Sequence, residues 1–137
     1  MLAWTLSGVC RDLLQTPLFV QSIVTSGGAE WSIFLPAVIF VIAAFLSFST
    51  GTAWGTFGIL IPIVVPVVEA IDPGLTVVAL SATLAGSVFG DHCSPISDTT
   101  ILSSAGSGCN HIEHVSTQMP YSLTVAFSAC LGSWSRA

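Results

Sequence analysis

The stretch GDHCSPISDTT, Gly90–Thr100, decides how this chain is read. It places Asp91 and Asp98, His92, and the hydroxyls of Ser94, Ser97, Thr99 and Thr100 in a short break between apolar segments. On its N-terminal side runs LTVVALSATLAGSVFG, Leu75–Gly90, and on its C-terminal side the brief Thr99–Ala105. Carboxylates set into apolar surroundings of this kind are costly, and by default they mark a functional site.

The composition around that stretch explains the cost. Hydrophobic residues make up 53% of the chain and charged residues 7%, against about a quarter charged in soluble domains. A water-facing surface cannot be built from so few charges, so the chain is expected to be an integral, multi-pass membrane protein whose first partner is the lipid bilayer. Its net charge is −5, and Arg11 and Arg136 are its only basic residues apart from histidine. Nucleic acid is excluded as a partner, because phosphate binding needs clustered Lys and Arg. The four cysteines, Cys10, Cys93, Cys109 and Cys130, have no framework spacing and read as free thiols. No basic residue precedes the first apolar stretch, so the N-terminus does not read as a secretory signal.

Outward from the break, the apolar runs divide the chain. Residues 1–14 read as a first helix. Ile33–Phe48 and Phe57–Ile71 are apolar on nearly every face, the second carrying Pro62 and Pro66 as kinks. Each amounts to roughly 22–24 Å of helix, short of a hydrocarbon core of about 30 Å. Between them lies STGTAWGT, Ser49–Thr56, too polar for lipid and too rich in small residues for an ordinary outer loop. Two spanning helices with a surface loop would fit. The preferred expectation over 33–71 is a re-entrant helical hairpin with a buried tip, since short, Gly-interrupted apolar segments point to transporter sites. Asp72-Pro73-Gly74 then turns the chain. Residues 75–105 read as an interrupted helix, Cys109–Gln118 as a polar loop, and 119–134 as the last helix. The fold class expected is all-α, a polytopic membrane domain present in part.

The break itself suggests chemistry. Pro95 argues against a continuous helix, because it lacks a donor and clashes with the preceding turn. The expectation is a helix end near Gly90 and a restart with Ser94 as N-cap and Pro95 at the first helical position. A helix end exposes carbonyls, and Ser94, Ser97 and Thr99 add neutral oxygens beside Asp91 and Asp98, a ligand set suited to a hard monovalent cation. Burial also disfavours the charged form of a carboxylic acid, so such a group can hold a proton instead. One place that takes either a proton or a cation enforces exchange between them. The plainer alternatives are an acid at a helix N-terminus for Asp98 and an interfacial residue for Asp91.

The hairpin tip supplies a second group: Thr50, Gly51, Thr52, Gly55 and Thr56. Gly51/Gly55 and Gly86/Gly90 are small-residue pairs that permit close backbone approach. His92, next to Asp91, is a candidate pH-responsive group. Zinc from His92, Cys93, Cys109, His111 and His114 matches no known spacing, and His111 and His114 read as loop residues in water. No nucleophile-elbow pattern surrounds Ser94. Neither an enzyme nor a cofactor is expected, only Na+ and H+ as transported ions.

Two blocks carry a resemblance. FSTGTAWGTFGILIP, Phe48–Pro62, and GSVFGDHCSPISDTTILSSAGSGCNHIEHVSTQMPY, Gly86–Tyr121, closely resemble the C-terminal part of NhaC-type Na+/H+ antiporters of the ion-transporter superfamily. The resemblance extends more loosely over residues 1–127. It implies a secondary active transporter of the cell membrane with interrupted helices, and it would put Asp91, Ser94, Asp98 and the Thr50–Thr56 tip at the cation and proton site. Some members of that family exchange malate and lactate with Na+ and H+. Against them this chain corresponds to roughly the last third, so the resemblance implies a fragment that works only with the missing N-terminal half or another protomer. The alternative is a small helical membrane protein with a structural or partner-binding role.

Overall fold

The computed structural model describes residues 34–134 continuously, and ahead of them only residues 5, 8, 9, 13, 15, 18 and 22. The helix expected over 1–14 therefore falls outside the continuously described part. Within it the protein is all-α: α1 (Leu35–Thr50), α2 (Ala53–Ile71), a 3-10 turn (Pro73–Leu75), α3 (Thr76–Cys93), α4 (Asp98–Ser107) and α5 (His111–Trp134).

Helices α1 and α2 form an antiparallel hairpin joined by Gly51 and Thr52 alone. Gly51 ends α1 in the left-handed region, φ 67°, with its N–H donating to Ser47 O at 2.8 Å. Thr52 starts α2 at once, its hydroxyl oxygen accepting the Gly55 N–H. The polar stretch Ser49–Thr56 is thus mostly helix, not loop. The physical reason lies in the hydroxyls, which bond back to carbonyls one turn earlier: Thr50 Oγ1 to Leu46 O and Thr56 Oγ1 to Thr52 O. Bonded this way, Ser and Thr need no water.

The same effect lengthens the segments that read as short. Helix α2 has 19 residues and passes through Pro62 and Pro66; at 1.5 Å each it is about 28 Å long. Helix α3 continues beyond Gly90 to Cys93. Both α2 and the Pro73–Cys93 segment are long and apolar enough to cross a bilayer.

Helix α3 is the centre of the packing, with α1 and α2 on one side and α5 on the other. Leu35, Ile39 and Ala43 of α1 meet Leu60, Val64 and Val68 of α2 and Ala79 of α3. On the far side Phe40, Ala82 and Ala126 form a second cluster, with Phe40 and Phe89 stacked at 6.2 Å. Along α3 the small residues Ala79, Ala82, Thr83, Gly86, Ser87 and Gly90 are buried. A Cβ on Gly86 would strike Phe40 O, and one on Gly90 would strike Ala44 O and Phe48 N, so backbone meets backbone along this seam.

Polarity is distributed inside out. The buried polar residues are Ser47, Thr56, Thr83, Ser87, Asp91, Ser94, Ser97, Thr100 and Ser104, while Phe45, Leu102, Tyr121, Val125 and Phe127 are exposed. That is the arrangement of a helix group whose outer surface meets lipid or other apolar protein.

The last helix starts earlier than expected. Asn110 caps it, its Oδ1 accepting the Ile112 N–H at 3.0 Å, and Glu113 stands in the first turn. Cys109–Gln118 is therefore a two-residue link followed by helix, and α5 runs through Pro120.

Candidate functional site

The helix break is built differently from the sequence expectation. Helix α3 ends at Cys93 and is capped by Ser94, whose N–H bonds to Asp91 O at 3.1 Å, and Pro95 and Ile96 form a turn closed by Ser97 N to Ser94 O at 3.3 Å. The restart is at Ser97 and Asp98, not at Ser94 and Pro95. Ser94 is used elsewhere: its hydroxyl crosses to α1 and donates to Phe48 O at 2.8 Å. Deep burial of that hydroxyl makes the cross-helix bond worth more than a local cap, since an unpaired buried hydroxyl is costly.

Asp91 sits in the last turn of α3 and is 5% exposed. Both of its oxygens have partners from beyond the break. Ser97 Oγ lies 2.8 Å from Oδ1, and Thr99 Oγ1 lies 3.0 Å from Oδ2. The two hydroxyls are also 2.8 Å from each other. Asp91, Ser97 and Thr99 thus form a closed triangle of three side chains, with four oxygens between them.

Asp98 does not enter it. Its side chain is exposed, and its Oδ1 accepts the Thr99 N–H at 2.8 Å, placing the carboxylate at the N-terminus of α4. His92 is also turned away: its Nδ1 donates to Val88 O at 2.9 Å, and its ring lines a groove of about 720 Å³ between α3 and α5.

The hairpin tip does reach the break. Gly51 packs against the turn so closely that a Cβ there would lie 2.8 Å from Ile96 O. Thr56 is buried and 3.5 Å from Thr50, whereas Gly55 faces only Thr52 of its own turn. Behind the break Ser47 Oγ donates to Ser87 O at 2.6 Å, a second α1–α3 bond that the sequence reading passed over. Its signal was the spacing Leu35, Ile39, Ala43, Ser47, which continues the buried stripe of α1.

The tip contact gives a direct test. Gly51→Ala adds a methyl group against a backbone oxygen and forces a side chain into the left-handed region, together costing about 2–4 kcal/mol. The expected result is a lowered melting temperature in detergent. An unchanged one would show that the tip and the turn do not press together.

His111 was expected in water and is instead half-buried in protein. Its Nε2 lies 2.7 Å from Pro95 O and its Nδ1 lies 3.1 Å from Ser104 Oγ.

Comparison with known proteins bears on this geometry. The Na+/H+ antiporter family matches residues 1–134. An uncharacterized protein of Haemophilus influenzae is 51% identical over 130 residues, 95% of this chain and 24% of that protein. The malate-2H(+)/Na(+)-lactate antiporter of Bacillus subtilis is 38% identical over 92 residues, 67% of this chain and 19% of that protein. An uncharacterized Na(+)/H(+) antiporter of Haemophilus influenzae is 39% identical over 84 residues, 58% of this chain and 18% of that protein. The chain therefore spans about a quarter or less of the length of these curated relatives. No solved structure matches. With the family matched over nearly the whole chain and an interrupted apolar helix bundle as its fold, this chain belongs to the Na+/H+ antiporter family.

Proposed function

We propose that the break between α3 and α4 is the cation and proton site of a Na+/H+ antiporter, with the two ions competing for Asp91. The observation that carries this is the oxygen triangle. Its three contacts, at 2.8, 3.0 and 2.8 Å, need three hydrogens, one for each. Two hydroxyls supply two. A proton on the carboxyl group supplies the third: Asp91 donates to Ser97, Ser97 to Thr99, and Thr99 back to the second carboxyl oxygen.

An ionised Asp91 leaves that ring one hydrogen short. A cation can make up the difference in charge, with the Ser97 and Thr99 oxygens turned toward it and the hairpin tip closing from α1. Proton and cation then fill one vacancy by turns, and coupled exchange follows without a separate gate. Ser94 holds the site to α1. Asp98, exposed at the start of α4, is the carboxylate an arriving cation meets first.

Transport by the whole protein needs more than these helices, since the matched relatives are several times longer. The remainder would come from an upstream polypeptide or a second protomer, in a multi-pass assembly of the cell membrane. The name of the Bacillus subtilis relative supports a second reading, Na+-coupled exchange of an organic anion.

Exchange in proteoliposomes of the assembled antiporter tests the reading. A Na+ gradient should drive a pH change. The double variant Ser97→Ala, Thr99→Val should raise the half-saturating Na+ concentration by roughly ten- to a hundredfold, the worth of two hydrogen-bonding oxygens. Asp98→Asn should raise it less and keep the exchange. Wild-type saturation in the double variant would remove the triangle from the mechanism, and exchange that requires malate or lactate would favour the organic-anion reading. A stably folded assembly with no flux of any kind would favour a structural role.

A further inference from the structure

We propose that His111 is a positioning residue for the Asp91 site, a latch from the start of α5 to the turn of the helix break; the proposal rests on the reading of Asp91 as the cation and proton site. Pro95 O lies 2.7 Å from His111 Nε2. A carbonyl only accepts, so Nε2 carries the hydrogen and donates it. Ser104 Oγ, 3.1 Å from Nδ1, holds the other edge of the ring. Ser104 is itself 3% exposed, and its single hydroxyl hydrogen is shared between His111 Nδ1 and Ile101 O, 2.9 Å away. One imidazole thus connects three elements: α5, which carries it, α4 through Ser104, and the turn through Pro95.

The turn is what needs holding. Pro95 and Ile96 are exposed, and the four residues from Ser94 to Ser97 are the only covalent link between α3 and α4. On one side the turn leans on Gly51 of the hairpin tip and is tied at Ser94 to Phe48 O. On the other side the contact is His111. The positions of Ser97 and Thr99 against Asp91 depend on that turn, because both hydroxyls lie beyond it. The start of α5 is fixed independently by Asn110, so the ring is delivered from a firm base.

A latch of this kind asks for a donor at the place of Nε2. Glutamine can put its amide nitrogen there. Asparagine reaches only as far as Nδ1, and phenylalanine fills the space without a donor.

Cys93 is a native reporter of the break. It is 6% exposed, with its thiol beside Ser122 of α5. In the assembled protein in native membranes, with Cys10, Cys109 and Cys130 replaced by alanine, the rate of Cys93 alkylation by N-ethylmaleimide reads how often the break opens. Na+ added over a concentration range should slow it, and the midpoint reads cation binding without transport. The expected result is a rate without Na+ faster by roughly three- to tenfold in His111→Phe and His111→Asn, the worth of one hydrogen bond, with Na+ midpoints raised alike. His111→Gln should stay near wild type in both. Should His111→Phe fail to reach the membrane, the Gln and Asn variants carry the comparison.

Equal rates in wild type and the Asn variant would overturn the latch. So would a Gln variant as open as Asn, since His111 would then matter for its shape alone. If Asp91→Asn keeps the wild-type Na+ midpoint, or Na+ protects nothing in wild type, the Asp91 reading fails instead, and the latch is still decided by the rates without Na+.

Discussion

Asp91→Asn should abolish Na+-driven proton movement, by roughly a hundredfold or more, while leaving the protein as stable as wild type or more so. The two halves of that expectation come from the same geometry. An asparagine amide donates through its nitrogen and accepts through its oxygen, so it completes the ring with Ser97 and Thr99 as a protonated carboxyl group does. The variant is locked in the likeness of the proton-loaded state. It can neither release a proton nor balance a cation, and a cation in low-dielectric surroundings without a countercharge is strongly disfavoured. Flux measured on proteoliposomes, beside a melting curve in detergent, separates the outcomes. Persistent exchange would remove Asp91 from the site. Lost exchange with a collapsed melting temperature would mean that the carboxylate is needed to hold the helices and not to bind the ion.

The largest structural effect should come from Gly90→Leu. Any side chain at Gly90 meets Ala44 O and Phe48 N of α1. Neither is the movable end of a side chain, so the helices themselves must part, at a cost of about 3 kcal/mol or more. Parting them also strains the Ser94 to Phe48 bond that ties the break to α1. The measurement is the fraction of protein that folds in the membrane and resists protease. Gly106→Ala is its control: that position has open space around it and lies within α4, where alanine favours helix by about 0.5–1 kcal/mol. Equal folding of the two variants would contradict the close approach of α1 and α3.

How much of this was legible in the chain depends on which property was read. Hydropathy marked the hairpin, the break and the last helix, because burial of apolar runs is a sum over many residues. The tip and the break were also paired correctly as neighbours, as Gly51 on Ile96 shows. Boundaries were less visible. Ser49–Thr56 looks polar residue by residue, yet it is mostly helical, because a hydroxyl that bonds to its own preceding turn hides its polarity, and the His92 ring bonds back to Val88 O in the same way. Asn110-His111-Ile112-Glu113 looked like a loop, although Asn with Glu three residues later is a helix-start pattern.

Of the oxygens grouped in the sequence, some converge and some do not. Asp91, Ser97 and Thr99 meet, but Ser94 serves α1 and Asp98 faces outward. Which of several neighbouring oxygens converge depends on where the second helix begins, and a shift of the restart from Ser94 to Ser97 re-aims all of them. His111 was out of reach for a similar reason: its partner Pro95 is 16 residues away in sequence.

The backbone seam between α1 and α3 has a bearing on motion. Two helices that touch main chain to main chain at Gly86 and Gly90 cannot slide or roll past each other without losing that fit. If Asp91 is the exchange site proposed above, a rearrangement that exposes it first to one side of a membrane and then to the other would leave this seam intact and take place at its margins. Those margins are the Pro95–Ile96 turn and the left-handed joint at Gly108. Between them lies α4, a ten-residue segment. It is the shortest α-helix among the described residues, and a swing of it would have to break the bonds of Ser97 and Thr99 to Asp91 and of Ser104 to His111.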